Sequence, residues 1–332
     1  MKKLTILIGG LLLINNLMVA MAMGEQTAAA NVFTDVHDGD TYYDAISYLK
    51  TAGIVSGYQD GSFKPFQTIN RAEFTKIIVG ASGYNPAQDP SGFDIYSLNG
   101  IEFKDVKSGE WYVPYLRKAV ESEIIGGYPD GTYKPAQEIN FVEAAKIIVV
   151  ADGGDFAGAG YAPEDWFHKY VGVLEQNNAI PTSINTFDQK ITRGEMAEMI
   201  YRLKTKNANK PSMTYDLLAA PKGYLEGSLS FPSEGIPADL MVCADNIEMA
   251  ETFCTYSRIK DSKYMYGVGY KLPLKAGTYN VYANYHGMTG LYSNYVLCGM
   301  SSNCSDHSSV NVDVDAGKTI KDIDPADWYS QN

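Results

Sequence analysis

Basic residues, histidines and long apolar segments are all scarce in this sequence. Its 332 residues include 27 lysines and arginines against 39 aspartates and glutamates, which gives a formal net charge of −12. A chain with this acidic excess is repelled by the phosphates of nucleic acid, so general nucleic-acid binding is excluded. Beyond residue 23, no run reaches the roughly 20 apolar residues that a membrane helix needs. We therefore expect no transmembrane segment in the mature chain.

Catalytic and metal-binding motifs are also missing. The four histidines are isolated from one another, and the sequence contains no His-x-His, Gly-x-Ser-x-Gly or Cys-x-x-Cys. A calcium-dependent module would have to use Asp35, Asp38 and Asp40. Their spacing does not fit an EF-hand loop, and the glutamate that ends such a loop is absent. The sequence thus predicts neither a cofactor nor a metal site.

Residues 1–22 are typical of a secretory signal. Lys2 and Lys3 precede an apolar run over residues 4–19, and Ala20-Met21-Ala22 fits a cleavage site. A retained membrane anchor is the alternative. Cleavage would remove two lysines and change the net charge from −12 to −14. About 310 residues would remain, enough for two or three domains, and we predict that they are exported.

An internal repeat organises the first two thirds of the chain. The segment 57–78 recurs seventy positions later as 127–148, and a looser third copy survives at 191–196. The first two copies share Gly-Tyr, an Asp-Gly pair and Lys-Pro. The Asp-Gly pairs predict tight turns, because glycine tolerates positive φ and aspartate bonds its own backbone. Apolar residues at helical spacing before and after this stretch predict two helices in each copy.

Capping boxes mark the second helix of each copy. In a capping box, the first side chain accepts from an early helix amide and a glutamate three positions later reaches back to the chain. The pairs are Asn70 and Glu73, Asn140 and Glu143, and Thr192 and Glu195. A helix pair of about 50 residues cannot bury its apolar stripes alone, so the three copies should pack around a shared core.

These motifs resemble the S-layer homology domain family. The resemblance rests on the motifs Phe-x-Asp-Val, Gly-Tyr-x-Asp-Gly-x-Phe/Tyr-Lys-Pro and Asn/Thr-Arg-x-Glu. It covers two repeats, 32–82 and 101–152, and a degenerate third repeat at 153–206. It implies an all-α, three-repeat bundle with pseudo-threefold symmetry. It also implies that the repeats hold an exported protein non-covalently to the cell envelope, through a secondary cell-wall polysaccharide that carries a pyruvate ketal.

Candidate glycan-binding residues follow from this resemblance and from the chemistry of a ketal carboxylate. A guanidinium can grip two oxygens, free amides at a helix start favour an anion, and an aromatic ring can face the sugar. Position 141 is Phe where the other copies have Arg, so the sequence predicts at most two competent anion sites. The full set is Arg71, Glu73, Arg193, Glu195, Asp35, Asp105, Trp111 and Trp166.

Each of these candidates has a structural alternative. The glutamates could serve mainly as helix caps, Asp35 and Asp105 could cap the helix that follows them, and the tryptophans could belong to the core. For the two arginines we favour the ligand, because the first position of a helix needs no arginine for helix formation. All the glycan-binding assignments are therefore predictions that geometry can sort.

A change in composition marks a second region. Residues 207–222 are polar and irregular, which predicts a linker. After them, short runs of alternating apolar and polar residues, separated by Gly, Pro and Asp, predict an antiparallel β-sandwich. All four cysteines lie here, which in an exported protein suggests two disulfides. We favour Cys243 with Cys254 and Cys298 with Cys304, although three connectivities are possible.

This tail, residues 223–329, is similar to the carboxypeptidase regulatory-like, transthyretin-type β-sandwich family. The resemblance rests on Gly-Tyr-Leu-Glu-Gly at 223–227, residues 272–279 and residues 312–319. We predict a multi-domain, non-enzymatic cell-surface protein that displays this sandwich, with possible S-layer or surface-protein neighbours. The alternative is an exported enzyme or ligand-binding protein whose activity lies in the sandwich.

Overall fold

The computed structural model describes residues 32–89, 100–154, 165–206 and 209–328. The predicted secretory signal lies outside these residues. The described residues belong to one compact unit, in which a helical region precedes a β region. No helix in the described part of the chain has the length and apolar character needed to span a bilayer.

Three pairs of helices form the helical region, one pair for each predicted repeat. The capping residues Asn70, Asn140 and Thr192 start the second helix of each pair, as predicted. The apolar face of each helix is buried in a common core. The helices are α1 Tyr43–Thr51, α2 Arg71–Ala81, α3 Val113–Glu121, α4 Phe141–Ala151, α5 His168–Gln176 and α6 Arg193–Thr205.

Three buried isoleucines connect the repeats through backbone hydrogen bonds. The amide of Ile69 donates to the carbonyl of Ile191 at 3.1 Å, and the amide of Ile139 donates to the carbonyl of Ile69 at 3.1 Å. The amide of Ile191 closes the ring by donating to the carbonyl of Ile139 at 3.2 Å. Each repeat therefore contacts both of the others directly before the second helix begins.

The capping boxes are complete in two copies and incomplete in one. Glu143 and Glu195 each reach back to the amide of their N-cap residue, at 3.2 and 2.7 Å. Asn70 caps α2 by accepting from the amide of Glu73 at 2.9 Å. The side chain of Glu73, however, does not close the box, because it turns toward the third repeat.

Asp35 and Asp105 do not cap the following helices, so that prediction is wrong. Asp35 accepts from the amides of Phe63 and Lys64, both at 2.7 Å, and Asp105 accepts from Tyr133 and Lys134 at 2.8 and 2.7 Å. Each carboxylate therefore ties the start of its repeat to the turn that precedes the second helix. Each aspartate thus accepts hydrogen bonds from amides 28 and 29 positions away and not from the nearer helix start.

The β region contains two sheets. One has the strand order β4-β5-β1-β9 and the other β3-β2-β6-β7, with β8 also paired to β6. The strand pairs are antiparallel, as predicted, except β1–β9, which is parallel. The strands are β1 Lys222–Ser228, β2 Met241–Asn246, β3 Thr252–Thr255, β4 Ile259–Lys260, β5 Val268–Lys275, β6 Gly277–Tyr285, β7 Met288–Leu291, β8 Asn311–Val314 and β9 Thr319–Ile320.

Both disulfides pair as favoured from the sequence. Cys243 and Cys254 face each other across β2 and β3, and this bridge is buried. Cys298 and Cys304 close a short surface segment that follows α8, Asn294–Leu297. The first bridge therefore staples two strands, whereas the second staples a loop.

The segment predicted as a linker is attached to the third repeat. It contains the short helix α7, Tyr215–Ala219, and the ring of Tyr215 stacks on His168 at a centroid distance of 3.9 Å. The amide of Met213 donates to the carbonyl of Ile180 at 2.9 Å. This segment is thus packed against the repeats, and the β region follows it without a free spacer.

Candidate functional site

Arg71 lies at the centre of a groove between repeats. It occupies the first position of α2 and is 6% exposed. Its Nε donates to the carbonyl of Tyr133 in the second repeat at 2.8 Å, and its guanidinium carbon lies 4.6 Å from the ring centroid of Tyr128. Its Nη1 is 4.0 Å from Glu143 Oε1, which is too long for a hydrogen bond. Arg71 therefore joins two repeats and pairs only loosely with the carboxylate.

Lys146 and Trp166 complete this groove, which we call the Arg71 groove. Lys146 lies one turn after Glu143 on α4, and its Nζ is 5.7 Å from the ring centroid of Trp166. Trp166 precedes α5 of the third repeat and is 39% exposed. A cavity of about 160 Å³ lies among these side chains. Two cations, a carboxylate and an open aromatic face thus line one cavity.

The same arrangement occurs once more, in the Arg193 groove. The Nε of Arg193 donates to the carbonyl of Phe63 at 2.7 Å, and its guanidinium carbon lies 4.6 Å from the ring centroid of Tyr58. Its Nη1 is 3.7 Å from Glu73 Oε2. The Nζ of Lys76 lies 5.9 Å from the ring centroid of Trp111. These two residues occupy the positions that Lys146 and Trp166 occupy in the Arg71 groove. Arg193 of the third repeat therefore meets the first repeat as Arg71 meets the second.

Burial controls the protonation of the groove tyrosines. Burial, together with the hydrogen bond that Tyr128 donates to Glu143, raises the pKa of Tyr128 to about 12. The protonated hydroxyl donates to Glu143 Oε1 at 2.7 Å, and that of Tyr58, whose pKa burial also raises, donates to Glu73 Oε1 at 3.3 Å. Burial lowers the pKa of Arg193, while Tyr58 and Glu73 oppose this shift. Each glutamate is thus held by a tyrosine beside the arginine.

The helix starts offer no free amides to an anion, contrary to the expectation from sequence. The amides of Arg71 and Ala72 donate to the carbonyls of Gln137 and Pro135, at 2.9 and 3.0 Å. The amides of Arg193 and Gly194 donate likewise to Gln67 and Pro65. The neighbouring repeat therefore satisfies these donors, because its extended segment runs directly past the helix start.

The third groove has the same backbone but different side chains. The amide of Phe141 donates to the carbonyl of Gln189 at 2.9 Å, and its side chain is fully buried. Glu195, 2% exposed, accepts from Ser183 Oγ at 2.7 Å instead of from a tyrosine. Glu198 replaces the lysine, and Thr41 stands where the other grooves have tryptophan. Arginine, tyrosine, lysine and tryptophan are therefore all replaced.

The β region covers the third groove. Asn185 Nδ2 donates to the carbonyl of Cys254 at 2.7 Å. The hydroxyl of Tyr256 donates to Thr41 Oγ1 at 3.1 Å, and its ring lies 4.5 Å from that of Phe66 between centroids. The cavity that remains, about 260 Å³, is lined by both regions. Residues of the β region therefore occupy one side of the third groove.

The structure sorts the candidates predicted from sequence. It brings Arg71 and Trp166 together in one groove, and Arg193, Glu73 and Trp111 together in another. Both tryptophans are exposed, at 39% and 49%, which argues against the core alternative. Glu195 lies in the covered third groove. Asp35 is near enough to Arg193 to oppose the lowering of its pKa, and Asp105 does not line the cavity beside Arg71.

Sequence reasoning missed the tyrosines and lysines of the grooves. Tyr58 and Tyr128 follow the glycine of each repeat, and Lys76 and Lys146 come three positions after each glutamate. Both recurrences could have been noticed, because only the third copy departs from them. What the sequence could not reveal is that residues of different repeats share one groove.

Comparison with known proteins supports the repeat assignment. Residues 32–75 and 102–145 match the S-layer homology domain family. The chain contains two S-layer homology repeats. It is 31% identical over 155 residues to the middle cell wall protein of Brevibacillus brevis, covering 47% of this chain and 14% of that protein. It is 25% identical over 295 residues to the surface-layer 125 kDa protein of Lysinibacillus sphaericus, covering 84% of this chain and 23% of that protein.

Other relatives are enzymes. The chain is 29% identical over 192 residues to an amylopullulanase of Thermoanaerobacterium thermosulfurigenes, covering 53% of this chain and 10% of that protein. This chain spans less than a quarter of each of the three relatives. The S-layer homology repeats and the surface-protein relatives confirm the prediction of an exported protein of the cell surface.

Proposed function

We propose that this protein is a non-enzymatic surface protein that binds an anionic, pyruvylated secondary cell-wall polysaccharide in the Arg71 and Arg193 grooves. The observation that carries the proposal is the repeated set of arginine, tyrosine, glutamate, lysine and exposed tryptophan at two repeat boundaries. Because the two sets match residue for residue, they support one ligand chemistry at both positions. The polymer would be held at two points along its length.

The chemistry of the grooves suits a sugar that carries a carboxylate. Arginine and lysine would pair with the ketal carboxylate through charge-assisted hydrogen bonds. The exposed faces of Trp111 and Trp166 would pack on the sugar ring. Glu73 and Glu143, each fixed by a tyrosine, are placed to accept from sugar hydroxyls. We assign Glu195 to the fold because it lies in the third groove, which the β region covers. We assign Asp35 and Asp105 to the fold because both oxygens of each accept from amides of a turn in the same repeat.

We infer that residues 153–206 are a third, degenerate S-layer homology repeat in a pseudo-threefold arrangement. The ring of hydrogen bonds among Ile69, Ile139 and Ile191 supports this, as does the matching position of Arg71, Phe141 and Arg193 at three helix starts. Only two of the three boundaries would bind glycan. The third boundary would be the surface against which the β region packs.

We propose further that the β region is a carboxypeptidase regulatory-like, transthyretin-type sandwich, held in one orientation by the repeats. The two packed sheets and the buried Cys243–Cys254 bridge support a rigid module. Neighbouring surface proteins would then meet it at a constant distance from the wall.

The enzyme alternative has one candidate cluster in the β region. His307 Nδ1 lies 2.9 Å from Asp327 Oδ2, and Ser293 Oγ donates to the same oxygen at 2.7 Å. A serine nucleophile must instead donate to the imidazole that acts as its base. Both contacts converge on a fully buried carboxylate. This cluster therefore favours a structural role over catalysis.

Co-sedimentation with purified cell-wall sacculi tests the proposal. The full chain should sediment with intact sacculi and remain soluble with sacculi from which the non-peptidoglycan polymer has been chemically removed. The Arg71→Ala/Arg193→Ala variant should not sediment with either. Phe141→Leu is the matched control at the third helix start and should sediment like the parent. Binding to stripped sacculi would identify peptidoglycan as the partner and overturn the proposed glycan.

A further inference from the structure

Two carboxylates and one imidazole meet where the first repeat contacts the β region. Asp40 precedes α1, Asp239 precedes β2, and His286 lies in the two-residue turn between β6 and β7. One ligand atom of each residue lies within 4.8 Å of the others. The cluster is separate from both arginine grooves and has no part in the proposed function.

The imidazole of His286 is oriented as in many metal sites. Its Nε2 lies 2.6 Å from Asp239 Oδ2, and its Nδ1 lies 3.6 Å from Asp40 Oδ1. A carboxylate on one ring nitrogen fixes the tautomer, so that the other nitrogen is free to bind a metal. Two ligands of a tetrahedral zinc ion, each at about 2.1 Å, stand about 3.4 Å apart. The gap between His286 and Asp40 thus matches the space across one shared ion.

Asp40 gives an independent reason to expect a cation. Its Oδ2 accepts from the amide of His37 at 2.7 Å, which fixes the carboxylate plane. Its Oδ1 is shielded from solvent and has no hydrogen-bond partner among the described residues. A buried carboxylate oxygen without a partner is costly, because burial removes its hydration without replacement. A bound cation would supply the missing partner.

We propose that Asp40 and His286 bind a divalent transition-metal ion of the zinc class, with Asp239 as the residue that orients the imidazole. Imidazole nitrogen selects such ions over calcium, which prefers an all-oxygen shell. All three residues line a cleft of about 270 Å³, from which water can complete the coordination. The ion would join the first repeat to the β region and hold the two together.

Calorimetric titration of the purified, tag-free, chelator-treated protein with ZnCl₂ tests this assignment. We expect one equivalent of zinc to bind and to raise the melting temperature of the protein, while CaCl₂ gives neither effect. His286→Asn should abolish both effects; asparagine tolerates the positive φ of 46° found at this turn position, so the turn should fold. Asp40→Asn should also abolish binding, and Asp239→Asn should weaken it about 10- to 100-fold.

His307→Gln is the matched control, because His307 also contacts an aspartate but belongs to no group of three metal-ligating side chains among the described residues. It should bind zinc like the parent. Melting curves without metal verify that every variant folds. The assignment is overturned if the parent binds no zinc, if His286→Asn binds it as tightly as the parent, or if calcium binds as well as zinc. Glycan binding by the metal-free protein is a separate measurement, so either proposal can fail alone.

Discussion

The two arginine grooves and the third groove share one backbone but face different partners. In all three, the amide of the first helical residue donates to a glutamine carbonyl of the neighbouring repeat at 2.9 Å. The arginine grooves then present cations and an open tryptophan to solvent. The third presents Phe141, Glu198 and Thr41, and the β region covers it. The shared backbone therefore leaves an exposed tryptophan at two boundaries and packs against the β region at another.

The side chains at the three boundaries account for this difference. Phe141 stands in place of the arginine, and the tyrosine, lysine and tryptophan are also replaced. The cations that line the remaining cavity, Arg202 and Lys210, lie 2.8 and 3.0 Å from Glu198. On the side that faces the β region, Thr41 accepts from the hydroxyl of Tyr256 at 3.1 Å. Four sets of variants test this difference between the grooves.

The largest effect should come from the two arginines. Arg71→Ala/Arg193→Ala should lower glycan affinity at least a hundredfold, because each charge-assisted contact contributes about 1.5–3 kcal/mol. Each single variant should lose roughly half of that free energy. Calorimetry with a pyruvylated wall fragment measures it. If Phe141→Leu lowers glycan affinity as much, the third groove also binds the glycan, and the proposed difference between the grooves is wrong.

Loss of the buried disulfide should rank second and should disturb the covered groove. Cys243→Ser/Cys254→Ser should lower the free energy of unfolding of the β region by about 2–4 kcal/mol. Because the backbone of Cys254 contacts Asn185 and Thr182, hydrogen exchange of residues 182–185 should also increase. Cys298→Ser/Cys304→Ser, at the surface, is the control. If neither double variant changes hydrogen exchange at residues 182–185, the contact between the β region and the third groove does not depend on the Cys243–Cys254 bridge.

Helix caps should affect stability without affecting the grooves. Asn70→Ala and Asn140→Ala should each lower the free energy of unfolding by about 0.5–2 kcal/mol, the range for N-cap substitutions. Glycan affinity should stay within twofold of the parent at temperatures where the variants are folded. Denaturant melts and calorimetry measure the two quantities separately. A large loss of affinity in Asn70→Ala alone would mean that the cap also orients Glu73 for the ligand.

The smallest effect should come from the exposed groove lysine. Lys146→Gln should weaken glycan binding only a few-fold, because an exposed ion pair contributes about 0.2–1 kcal/mol. The remaining affinity should fall less steeply with added salt than that of the parent. Lys104→Gln, an exposed lysine of the same repeat outside the grooves, is the control. If these two variants behave alike, Lys146 has no contact with the glycan.

The sequence alone determined the local features of this protein. The seventy-residue recurrence, the three N-caps and the helical spacing of apolar residues locate six helices, because each depends on neighbours within a few turns. The cysteine pairs were likewise within reach, since each joins residues 11 or 6 positions apart. These interactions are short in sequence, so the pattern of residue types is sufficient to predict them.

Which residues share a site depends on the tertiary structure. Arg193 donates a hydrogen bond to Phe63, which is 130 positions away in the sequence, and Tyr256 donates one to Thr41, which is 215 positions away. Whether Asp35 caps a helix or binds a turn depended on which amides packing brought nearest to it. The covering of the third groove and the meeting of Asp40 with His286 were equally invisible. No local period records such contacts, because they arise from how separate elements pack.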